Sequence, residues 1–100
     1  MKTNIQFVQM EKNAYVEELL LKKIKKLAKR YDWIHDANVF YRQEKGTVGK
    51  GRICEIRLGV PGQRIFASSD EESFEKATDE TIKDLEVQLK ERKGDMKPHL

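Results

Sequence analysis

Cysteine is nearly absent from the chain. Cys54 is the one thiol in 100 residues, so no intrachain disulfide can form, and a reducing compartment is the simplest setting. Long apolar runs are missing as well. No stretch approaches the roughly 20 apolar residues of a membrane helix, and the opening "MKTNIQFVQM" has no apolar core of the kind a signal peptide needs. Histidine is scarce: His35 and His99 stand far apart, in a loop and a tail, without ligand-like spacing to Cys54. No metal site and no cofactor are therefore expected. Nor does one charge sign dominate. With 20 Lys and Arg against 17 Asp and Glu the net charge is +3, so composition alone does not name nucleic acid, and the distribution of charge has to decide. The expectation is a small soluble cytoplasmic protein with no membrane partner.

What is present suffices for one domain and not two. Apolar residues make up 38% and charged residues 37%, below and above the usual shares, which implies a thin core under a heavily charged surface. Ile5 and Phe7 alternate with Asn4 and Gln6, so 3–10 reads as a strand. Asn13 can cap a helix from about Ala14 to Arg30, in which Val16, Leu20, Ile24, Leu27 and Tyr31 share one stripe. "DWIHD" breaks that period as a loop, and 37–44 reads as a second strand. "KGTVGKG" is a flexible, basic hairpin tip. In 52–60 Cys54, Ile56, Leu58 and Val60 face one way, "PGQ" turns the chain, and 64–68 is a short fourth strand. "SSDEES" reads as a helix start with its acidic run at the positive end of the dipole. The second helix follows to about Lys93 and buries Phe74, Ala77, Thr78, Thr81, Ile82, Leu85 and Leu89. Glu72–Lys76, Asp79–Lys83 and Glu86–Lys90 are spaced as ion pairs along it. The order β-α-β-β-β-α gives an α+β class: a four-stranded mixed sheet with two helices packed on one face, in a layout similar to a double-stranded-RNA-binding domain. Residues 1–93 are read as a single domain and 94–100 as a short flexible tail.

The stretch "ELLLKKIKKLAKRY" (Glu18 to Tyr31) carries six basic residues and ends in an aromatic. Lys22, Lys25, Lys26 and Lys29 lie opposite the apolar stripe, with Lys23 and Arg30 on one shoulder. Lysines near a helix C-terminus are ordinary. The second helix, however, intersperses its signs, whereas the last three turns of the first carry no acid. Like charges at this spacing repel by a few tenths of a kcal/mol per pair, a cost that an anionic partner removes. Regularly spaced Lys and Arg along a helix suit a phosphate backbone.

The remaining motifs carry less. "GTVGKG" lacks the spacing and the hydroxyl of a phosphate loop. Cys54 falls on the apolar side of a strand and reads as core. Trp33 is expected to close the helix end against the sheet rather than stack on a base, and the acids at 70–72 to cap rather than ligate. No nucleophile–base or acid–base pair stands out, so no catalytic residue, enzyme activity or small-molecule substrate is expected.

Together, "IQFVQMEKN", "KKIKKLAKRY" followed by "DANVFY", "RLGVPGQRIFASSDEESF" and "ATDETIKDLEVQLKERK" resemble the ribosome hibernation-promoting factor family. That family includes the ribosome-associated translation inhibitors and is also described as the sigma-54 modulation protein family. The last segment is the most specific, with Asp79, Leu85, Gln88 and Leu89 at family positions. The resemblance implies a short-form factor, as against long members with a separate C-terminal dimerisation domain, that is monomeric when free. It implies binding in the messenger and transfer RNA channel of the small ribosomal subunit, which keeps ribosomes inactive under stress or in stationary phase. It also implies that basic residues of both helices contact ribosomal RNA: Lys23, Lys26 and Lys29 match the family's positions on the first, with Lys22 and Arg30 on the same side, and Lys83, Lys90, Arg92 and Lys93 remain on the second. The family often has Lys where Asp84 stands and Arg where Val87 stands, which shifts weight to the first helix. The alternative is a general module for double-stranded or structured RNA without ribosome preference.

Overall fold

The computed structural model describes residues 1–45 and 48–96. Six elements follow in the expected order: β1 (Lys2–Phe7), α1 (Ala14–Arg30), β2 (Asp36–Gln43), β3 (Arg52–Gly59), β4 (Ile65–Glu71) and α2 (Phe74–Asp95). The strands form one sheet in the order β1-β2-β3-β4. β1 and β2, joined through α1, are parallel, and the two hairpin-linked pairs are antiparallel. Both helices lie on the same face. Val16, Leu20, Ile24 and Leu27 of α1 and Ile82, Leu85 and Leu89 of α2 bury against Val39, Tyr41, Ile56 and Leu58 of the sheet.

Each helix starts where a side chain can take an orphan amide. Asn13 accepts from the Val16 N–H at 3.1 Å and Ser73 from the Lys76 N–H at 3.1 Å. The second start differs from the expectation. β4 runs to Glu71, so Ser68 to Glu71 are strand rather than helix entry. Register explains it: Glu71 opposes Arg52, and the Asp70 carboxylate accepts the Gly51 N–H at 2.6 Å. β1 is shorter than expected, ending at Phe7, with Gln9 turning the chain at a φ of 53°. α2 runs to Asp95, two residues past its expected end. Part of the expected basic hairpin tip, and residues 97–100 with His99, lie outside the described residues.

The core's polar groups are paired. Tyr41 and Thr78 share a hydroxyl–hydroxyl bond of 2.7 Å, Thr78 also donates to the Phe74 carbonyl, and Thr81 donates to the Cys54 carbonyl. Trp33 is half-buried, edge-on to Tyr31, at the end of α1. The other sheet face has no helix over it among the described residues and carries Phe40, Arg57 and Phe66, with the Arg57 guanidinium 5.3 Å from the Phe40 ring centre. No helix among the described residues is long and apolar enough to cross a membrane.

Candidate nucleic-acid interface

The cations of α1 do not form one uniform face. Lys22, Lys25, Lys26, Lys29 and Arg30 are exposed, as the helical phase demands. Lys23 is half-buried, because its ammonium sits 2.9 Å from the Asp79 carboxylate of α2. The sequence paired Asp79 with Lys83 within α2. The structure turns Asp79 to α1 and leaves Lys83 at 3.5 Å from Glu80. Of the three pairs expected along α2, Glu72–Lys76 forms, at 3.9 Å. Lys22 lies 3.9 Å from Glu18, a pair too exposed to hold it. Among the described residues Lys26 and Lys29 have no ion-pair partner.

Beyond the Lys23–Asp79 contact the two helices continue side by side in the same direction, and a basic cleft opens between them. Arg30, Tyr31, Lys83, Glu86, Val87 and Lys90 line it, and Lys93 and Gly94 extend it toward the end of α2. Tyr31 is its floor: the Arg30 guanidinium lies 5.5 Å and the Lys93 ammonium 6.0 Å from its ring centre. These contacts hold the two cations over an aromatic face rather than against acids. Both helices end here with basic last turns, Lys29 and Arg30 on α1 and Arg92 and Lys93 on α2. The negative ends of two helix dipoles explain part of that charge. They do not explain Lys26, Lys83 and Lys90, which stand a turn or more back from the termini.

Arg92 is spoken for differently. Its guanidinium donates to the Pro61 and Gln63 carbonyls at 2.7 and 2.8 Å, tying the β3–β4 turn to α2. Gly62, at a φ of 87°, passes beneath that guanidinium, where a side chain would meet both strain and Arg92. Asp84 faces β4 rather than the cleft: its carboxylate accepts from Gln88, whose amide also reaches the Phe66 carbonyl. Val87 is exposed at the cleft's border, where it interrupts the basic row. The structure thus gathers Arg30, Lys83, Lys90 and Lys93 around Tyr31, ties Lys23 to Asp79, and leaves Lys22, Lys26 and Lys29 on the outer face of α1. Sequence reading placed Tyr31 in the buried stripe and gave it no part in the site, although the aromatic that closes the lysine run was the available signal.

The chemistry available is binding of anions. Cys54 is buried, and burial first of all pushes its thiol up to about 11, so it is neither a thiolate nor accessible at neutral pH. Among the described residues no group of His, Cys, Asp and Glu is placed to hold a metal ion.

Comparison with known proteins agrees with this architecture. The pattern of the family described as Sigma 54 modulation protein / S30EA ribosomal protein matches residues 3–97. A ribosomal subunit interface protein from Coxiella burnetii superposes with a TM-score of 0.83 at 22% identity, over 94% of this chain and 99% of that one. The N-terminal domain of Protein Y from Thermus thermophilus gives 0.70 at 23% identity, over 90% and 93%. At these identities the likeness is one of fold. No curated protein matches the sequence.

Proposed function

The chain belongs to the sigma 54 modulation protein / S30EA ribosomal protein family, and from that premise we propose that it is a ribosome-binding factor that holds ribosomes inactive. The small subunit receives it in the channel otherwise used by messenger and transfer RNA. Lys22, Lys26 and Lys29 on the outer face of α1, and Arg30, Lys83, Lys90 and Lys93 around the cleft, meet ribosomal RNA phosphates. The work is done in the cytoplasm, under stress or in stationary phase, by a monomer acting as a single binding domain with no small-molecule substrate.

One observation carries the reading: cations from two helices converge at one end of the molecule around Tyr31. A row of phosphates can neutralise such a surface, and the counterions it releases drive binding. Arg92 contributes indirectly, by fixing the β3–β4 turn. Co-sedimentation with ribosomes and with separated subunits on a gradient tests the assignment. The protein is expected with the small subunit, and it is expected to inhibit translation in an extract. Equal binding to unrelated RNA duplexes, with no preference for ribosomes, would establish the general RNA module instead.

A further inference from the structure

β1 is an edge strand whose single neighbour is β2. The Lys2 amide donates to the His35 carbonyl at 3.4 Å and the Val8 amide to the Tyr41 carbonyl at 2.8 Å. In a parallel ladder alternate residues bond to the same neighbour, so Thr3, Ile5 and Phe7 turn their N–H and C=O groups to the free edge. Their side chains lie on the helix side, where Ile5 and Phe7 are only partly covered by the core. α1 does not close over this edge. Met1, Thr3, Leu21, Ile24 and Ala28 line a groove of about 610 Å³, with Lys25, Lys26 and Lys29 along its wall. No acidic residue lines it. Lys2 is the one charged residue of β1, and it has the same sign.

We propose that this groove docks an extended, acidic segment of a protein partner, which adds to β1 as a further strand. Main-chain bonds to Thr3, Ile5 and Phe7 would hold the segment, and every second side chain would face α1; along that face apolar side chains would cover Leu21 and Ala28, and carboxylates between them would meet the lysine wall. This is strand addition with charge selecting the strand. A nucleic acid would use the lysines but leave the apolar floor and the row of free main-chain groups unmatched, so the combined chemistry favours a peptide. The site goes beyond the proposed ribosome contact, although it shares Lys26 and Lys29 with it.

The test uses the full chain and a short labelled peptide of repeated Thr-Val-Thr-Glu, whose Val and Glu side chains share one face of a strand (the Glu/Val peptide), with Lys in place of Glu as the control. The Glu/Val peptide is expected to shift the amide resonances of Thr3, Ile5 and Phe7 and to slow their hydrogen exchange, while the control does neither. Thr3→Pro removes an outward N–H that the native sheet does not use, a change an edge strand tolerates. It and Lys25→Glu are each expected to weaken peptide binding by about tenfold or more. Thr3→Pro is expected to leave ribosome co-sedimentation as it was, which separates this proposal from the proposed function. Unshifted β1 resonances, or full binding by Thr3→Pro, would overturn the proposal. So would a single-stranded RNA that shifts the same resonances more tightly than the peptide, or a second copy of the protein that does so at high concentration.

Discussion

Lys23 and Lys26 are three residues apart on α1 and meet different surroundings. Lys23 is held at 2.9 Å by Asp79, and Lys26 stands in solvent. Lys23→Gln is therefore expected to lower stability by about 0.2–1 kcal/mol, the range for an exposed to half-exposed pair. Lys26→Gln is expected to leave urea unfolding unchanged within error. Equal effects at the two sites would deny the inter-helix pair. This difference was invisible in the sequence, where Asp79 had an adequate partner four residues on; a tertiary contact outcompeted the local one. Cys54, by contrast, was legible as core from strand alternation alone. Burial raises its thiol from the ordinary 9.0 to about 11. Between those values the unfolded chain holds fewer protons, so stability is complete below pH 9 and falls as pH rises toward 11. Burial of Tyr41 raises its phenol too, mainly by desolvation, and acts in the same direction above its ordinary value of 10.0. Urea midpoints measured across that range are expected to fall, and Cys54→Ala is expected to flatten part of the fall. A midpoint that rises with pH would contradict the assigned burial.

At the scale of elements, α1 was read to its residue limits because three signals agree: the Asn13 cap, the apolar spacing and the break after Tyr31. Asn13→Ala is expected to cost about 1 kcal/mol through the lost bond to Val16. Ile24→Ala and Leu85→Ala, each at the helix–sheet contact, are expected to cost about 2–5 kcal/mol in chemical denaturation. A loss below about 1 kcal/mol at both would mean that the helix phases are wrong. β4 was read too short because Ser68, Ser69 and Asp70 carry helix-entry chemistry. What holds them in the strand is register with β3 and the Gly51–Asp70 bond, neither of which has a local sequence signature. Arg92 was read by its charge alone; its two bonds to the 61–63 turn had no sequence signal, because they depend on where that turn passes α2.

Over the whole molecule, the excess of cations is slight and their placement is not. At the sheet Arg42 pairs with Glu55 at 2.6 Å and with Glu44 at 3.7 Å, and Arg57 with Glu55 at 3.8 Å, so two cations there meet two acids. The helix face and cleft collect cations, of which Lys26 and Lys29 have no ion-pair partner among the described residues. The topology, two parallel helices ending side by side, does the collecting, and the sequence showed each helix's charge but not that the two ends coincide at Tyr31. The most direct test is the affinity for small ribosomal subunits across a salt series, for the native chain and for the Arg30→Glu/Lys90→Glu and Lys22→Gln variants. Native binding is expected to weaken steeply, in proportion to the number of phosphates neutralised. The double reversal at the cleft is expected to lose about a hundredfold or more in affinity with its melting unchanged, and Lys22→Gln to lose much less. Native-like affinity in the double variant, or a native affinity indifferent to salt, would contradict the claim that this two-helix basic surface binds ribosomal RNA.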